Sequence, residues 1–251
     1  MSNQTTSMSL IVRITFAGTI LAVLAAVTAL LAASGTKNEW WDFRVGFIIL
    51  KWGAYSGAIA GFLCLAGGLW ASTSGQYKTA FIAAASLLLS MIVMGIPWSW
   101  KQTASKVPPI HDISTDLTTP PKFAAILPLR KNAPNTSTHG GEIISSQQRA
   151  AYPNITSLLS EHSTDQIFAK TIEVIDDLGW EIIDASPPDR RIEAVDTTFW
   201  FGFKDDIVIR ILPIAQGSKV DIRSVSRVGR SDVGSNAKRI QVFLDAMASH
   251  K

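Results

Sequence analysis

Three long apolar stretches, Leu10–Ala33, Val45–Trp70 and roughly Thr79–Trp98, dominate residues 1–100. Each can cross a bilayer as a helix, because about 20 apolar residues rising about 1.5 Å each span the hydrocarbon core. No carboxylate lies inside any of them, which argues against a proton relay or a transport pathway. Arg13 and Lys51 lie close enough to the ends of their stretches to snorkel to the interface. A cleaved signal sequence is the rival reading for the first stretch, with Ala32-Ala33-Ser34-Gly35 as its cleavage site. That run exceeds a signal's apolar core and its leading segment is barely cationic, so an uncleaved span is expected. The chain therefore reads as a multi-pass membrane protein with a membrane domain over 1–100 and spans at about 10–33, 45–70 and 79–98.

Details of the spans fit that reading. Trp40, Trp41, Trp52, Trp70, Trp98 and Trp100 mostly flank the apolar runs, where an amphipathic ring sits best at headgroup level. Gly53, Gly57 and Gly61 share one helix face and permit close helix approach. Packing of the three spans against one another is the plainer use of that face; a homo-oligomer formed through it is the alternative. Cys64, the one cysteine, lies within the second stretch and reads as a small packing residue. Lys37 and Arg44 flank the first loop, and Lys101 and Lys106 follow the third span. Taken alone, this count leans toward a cytoplasmic C-terminal domain.

Residues 101–152 read as a Pro-rich linker, with Pro108-Pro109, Pro120-Pro121, Pro128 and Pro134, able to stand the domain off the bilayer or to wrap along its sheet. A soluble domain is expected over 153–251. Ser163-Thr-Asp-Gln166 is a capping-box signal, followed by helical spacing from Ile167 to Leu178 and a stop at Gly179. Trp180–Ala185 and Arg191–Thr198 read as one hairpin, Ile207–Leu212 and Lys219–Arg227 as a second, and a helix begins near Ser235. The expected fold is α+β: three transmembrane helices, then a small antiparallel four-stranded sheet with two helices on one face. Symmetric closure of the second hairpin places Arg210 opposite Asp221, Val208 opposite Arg223 and Ile209 opposite Ile222. Ile207, Ile209, Ile211, Val220 and Ile222 then face the core, and Arg210, Asp221 and Arg223 the other side.

The net charge of +3 is concentrated in the membrane half, so nothing points to nucleic acid. Within the soluble half, acids cluster before residue 207 and cations after it. Cross-strand ion pairing is the plainer account; an anion-binding surface is the sharper one. The candidate ligand- or partner-binding residues are Trp200, Arg210, Asp221, Arg223, Arg227 and Arg230, with Trp200 as a stacking wall. Phe199-Trp-Phe-Gly-Phe203 reads as core, as that wall, or as a segment entering the bilayer surface. The Gly229–Gly234 loop has Ser235 where a phosphate-binding P-loop needs Lys, which disfavours a nucleotide; helix capping is its simpler use. His111, His139, His162 and His250 are scattered, no cluster has metal-ligand spacing, and no nucleophile motif occurs. No metal or cofactor is expected.

Three blocks, Asp112–Pro121, Arg191–Arg210 and Val220–Gly234 with Asn236-Ala-Lys-Arg-Ile240, resemble the DUF1499 family over about residues 108–248. That family is uncharacterised, so the resemblance implies no reaction, cofactor or substrate. Relatives with a similar three-span N-terminus tend to carry a basic N-terminus and a basic second loop. The resemblance thus implies an inner-membrane protein with a cytoplasmic N-terminus and a periplasmic domain, against the local charge count. The expected function is binding of an envelope partner protein or of an anionic lipid or small ligand, beside membrane lipids. The alternative is an enzyme that uses Asp205, Asp206 or Asp232 as acid/base groups or metal ligands.

Overall fold

The structure, a computed structural model, describes residues 9–249; His250 lies outside them. The chain divides into two compact units. One runs through Gln102 and includes Trp200–Gly202; the other runs from Thr103 to Phe199 and from Phe203 onward.

The first unit is built on three helices, α1 (Leu10–Lys37), α2 (Phe43–Thr73) and α3 (Tyr77–Ala104). All three are long and apolar enough to cross a membrane. Phe16, Phe62, Phe81 and many Leu and Ile side chains point outward, a surface that suits lipid and not water. Small residues line the contacts between helices, where close backbone approach supplies the packing. A Cβ on Gly18 would lie 2.8 Å from Cys64 Sγ, and one on Gly67 would lie 2.5 Å from Thr15 Oγ1. The glycines of the Gly53/Gly57/Gly61 face meet their own chain: Gly53 faces Ala25 and Thr28 of α1, and Gly57 and Gly61 face Ser90 of α3. The Ser86 hydroxyl donates to Thr19 Oγ1 at 2.9 Å, tying α3 to α1.

The second unit contains α4 (Glu142–Ala151), α5 (Thr164–Asp177), α6 (Ser235–Ser249) and six strands, not the four expected. The strands are β1 (Asp112–Ser114), β2 (Leu158–Ser160), β3 (Glu181–Ser186), β4 (Arg191–Thr197), β5 (Lys204–Ile214) and β6 (Gly217–Ser226). Their order is β1-β6-β5-β4-β3, all antiparallel, and β2 also pairs with β6. The two additional strands escape a periodicity reading because each is three residues long, too short to show alternation. Both lie along β6, β1 opposite Arg223–Val225 and β2 opposite Ser218–Val220. They share an edge that would otherwise expose unpaired amides.

The expected register holds: Arg210 pairs with Asp221, Val208 with Arg223 and Ile209 with Ile222. One face of the sheet is apolar. Ile192, Ala194, Ile207, Ile209, Ile211, Val220 and Ile222 pack with Ile167, Val174 and Ile175 of α5 and Ile240, Phe243 and Met247 of α6. The Ser163/Gln166 capping box is formed, and Trp180 stacks on Phe243 at 5.9 Å.

The opposite face carries Glu193, Asp206, Arg210, Asp221 and Arg223 around a small apolar patch of Val195, Val208 and Val225. It is covered by chain read as linker. Phe123 and Ile126 seal the patch, and a 3-10 turn (Leu127–Arg130) follows. Glu193, fully buried, grips this strap: its carboxylate accepts from the amides of Ala124 at 2.7 Å, Ala125 at 3.2 Å and Ile126 at 2.8 Å.

Two outcomes are expected. Glu193→Ala should cost about 3 kcal/mol, since it orphans the three strap amides that the buried carboxylate accepts from, and should speed tryptic cleavage at Lys122 and Lys131. In detergent-solubilised protein, Gly67→Val should lower the melting temperature, whereas Gly95→Ala, whose Cβ would meet nothing within 4 Å, should leave it unchanged.

Candidate functional site

Cations on the strap-covered face are mostly bound by acids of the same chain. Arg223 forms a bidentate pair with Asp112 at 2.8 and 2.7 Å and donates to the carbonyls of Pro121 and Ser137. Its guanidinium also lies 5.3 Å from the Phe123 ring. Arg227 pairs with Asp206 at 2.7 Å, and Arg130 binds the same carboxylate. All three arginines are enclosed enough that the Asp112 and Asp206 carboxylates stabilise their burial.

The acids considered for catalysis are similarly engaged. Asp205 and Asp206 are neighbours on β5, so they point to opposite faces of the sheet and cannot act as a pair. Asp205 receives Arg239 at 2.6 Å on the helix side, where Arg239 also binds Asp196. Asp232 accepts from the amides of Gly234 at 2.9 Å and Asn236 at 2.8 Å, anchoring the start of α6. Burial pushes the Asp232 pKa up, and those two amides oppose the shift. Among the described residues, no group of three His, Cys, Asp or Glu is placed to hold a metal.

The sequence-derived binding residues thus separate. Trp200 sits in the β4–β5 turn, beyond the Thr197–Lys204 pair. Arg210 lies at the far end of the same two strands, opposite Arg191. Asp221 and Arg210 meet at 2.8 Å. Arg223 and Arg227 belong to the buried pairs, and Arg230 is exposed in the loop after β6.

Around Arg210 the strap and the sheet leave a cleft of about 600 Å³, lined by Thr118–Lys122, Asp189, Arg191, Val208 and Arg210. Arg191, Lys122 and the threonines were not singled out from sequence, because a Pro-rich segment able to wrap along the sheet does not announce which strands it crosses. Arg210 spends only Nη2 on acids, at 3.0 Å from Asp116 and 2.8 Å from Asp221. Its Nη1 has no hydrogen bond among the described residues, and the side chain is 24% exposed. Lys122 is exposed at the rim. Arg191 is held by Asp184 at 3.2 Å, Asp189 at 3.5 Å and Glu193 at 2.8 Å. Three cations thus line the cleft with one acid, Asp189.

Asp116 fixes the cleft's shape. It accepts from the amides of Thr118 at 3.0 Å and Thr119 at 2.9 Å, from the Thr119 hydroxyl at 3.1 Å, and from Lys219 at 3.0 Å. Burial raises the Asp116 pKa, but the Thr119 and Lys219 bonds outweigh it and hold the carboxyl well below the usual range. Burial likewise works against the Lys219 charge, and Asp116 and Asp221 reverse it, raising that pKa.

A carboxylate whose folded pKa is depressed adds stability above its unfolded value, about 3.9, and loses it as the pH falls toward the folded value. The melting temperature of Asp116→Asn should therefore lie below that of the unaltered protein at pH 7, and the gap should close as the pH is lowered below 4.

Residues 112–247 match the model of DUF1499, described as a protein of unknown function. No curated protein matches the chain. With the matched region spanning β1 to α6, and so the whole sheet and its strap, the chain belongs to the DUF1499 family.

Proposed function

We propose that this chain is a multi-pass inner-membrane protein whose second unit, on the periplasmic side, binds a small anionic ligand in the cleft between the strap and the sheet. The three apolar helices support membrane residence; the inner membrane and the periplasmic side follow the family resemblance of the spans. The observation that carries the binding reading is the cleft itself: Arg210 with an unused Nη1, exposed Lys122 and the Thr118 hydroxyl border one open space of about 600 Å³. Such donors, fixed before a ligand arrives, suit a carboxylate or a phosphate group. Pro120, Pro121 and Val208 give the same space an apolar wall, so the ligand's body need not be polar.

Native mass spectrometry of the full-length protein, gently extracted from its own membrane, tests this. A discrete added mass of a small anion is expected, absent or strongly reduced in Lys122→Glu and Arg210→Gln. A bare protomer, or a defined complex with another protein, would overturn the ligand reading and favour an envelope scaffold.

A further inference from the structure

The register of the sheet places an apolar strip beside the cleft. Leu212 is opposite Lys219, and Lys219 is opposite Leu159, so the three share one cross-strand row. Arg210 and Asp221 form the row before it, and Ile214 lies one row beyond. Side chains two residues apart on a strand share a face, so this strip continues the side of the sheet that carries Arg210 and Asp221. On the other side of the same strands, Ile211 and Val220 are fully buried under the helices. On this side Leu159, Leu212 and Ile214 are 67%, 37% and 40% exposed. Lone exposed aliphatic residues are ordinary, but a contiguous set beside a cleft marks a binding surface.

Lys219 does not interrupt the strip with its charge. Its Nζ is drawn back to Asp116 at 3.0 Å and to Asp221, in the Arg210 row, at 3.4 Å. That leaves its methylene stem between the two leucines.

Charge at the neighbouring row selects what the strip would meet. Arg210 gives only Nη2 to acids, and its Nε is buried without a partner; Lys122 is exposed at the rim. Of the acids here, Asp116 and Asp221 are bound by Arg210 and Lys219. Asp189 is held by Arg191 and the Ser186 hydroxyl, and Glu161, exposed, lies beside Gly217 at the far end of the strip. A cationic end that runs into an apolar strip complements a molecule with an anionic head and one hydrocarbon tail. From Arg210 to Ile214 the strand rises about 13 Å, room for a tail of medium length.

Resting on the anion-binding reading of the cleft, we propose that its ligand is a single-chain anionic amphiphile of the fatty-acid class. The carboxylate meets Arg210 and Lys122, and the tail lies along Leu212, the Lys219 stem, Leu159 and Ile214.

Isothermal titration of the full-length protein in nanodiscs, with the heat of empty nanodiscs subtracted, compares octanoate with acetate. Octanoate should bind roughly tenfold more tightly, the gain from burying about two methylenes. Leu212→Ser, at an exposed position, should remove that preference, whereas Lys122→Glu should weaken both ligands. Equal binding of acetate and octanoate, both weakened by Lys122→Glu, would overturn the amphiphile and keep the anion site. Binding of neither would overturn both readings. Octanoate binding that Leu212→Ser leaves unchanged would put the tail elsewhere and likewise overturn the proposal.

Discussion

A carboxylate removed from water must find donors or give up its charge. Glu193 stands in the middle of a β-strand with no exposed surface, and it finds donors in three consecutive backbone amides of the strap. That exchange organises the second unit. Once the strap lies across the sheet, Arg130 comes within reach of Asp206, while pairing of β1 with β6 brings Asp112 to Arg223. Removing either member of such a pair leaves a buried charge unmatched, so these contacts enforce one arrangement of strap and sheet more than they add net stability. The cleft follows from the same fact, since half of its wall is strap and half is sheet.

At one end of β4 and β5, Arg191 and Arg210 face the strap's Thr118–Lys122 segment across an open space. The apolar face beneath α5 and α6 supports the sheet side of that cleft, because its side chains are packed from β4 through β6.

Much of this fold was legible in the sequence, for physical reasons that differ by element. The spans announce themselves by length alone. The Ile207–Ile211 and Val220–Ile222 alternation specifies both register and core face, because a slip by one residue would bury Arg210 and Asp221 under the helices. The six-stranded sheet was not legible, since Asp112–Ser114 and Leu158–Ser160 become strands only through their pairing with β6. The pairing of opposite charges was visible in the segregation of acids and cations. The partners were not: Arg223 turns to Asp112 and Arg227 to Asp206. The cleft was half visible, in Arg210, and its other half rests on a tertiary fold-back that composition reads as linker.

The central claim is that the strap is part of the folded sheet and not a tether. Hydrogen exchange of the full-length protein in nanodiscs, read by mass spectrometry, tests it most directly. Amides of Ala124, Ala125 and Ile126 should exchange on the slow timescale of Ile207–Ile211, as members of one cooperative unit. Exchange of those three amides at the rate of an open loop, while the sheet stays protected, would contradict the account.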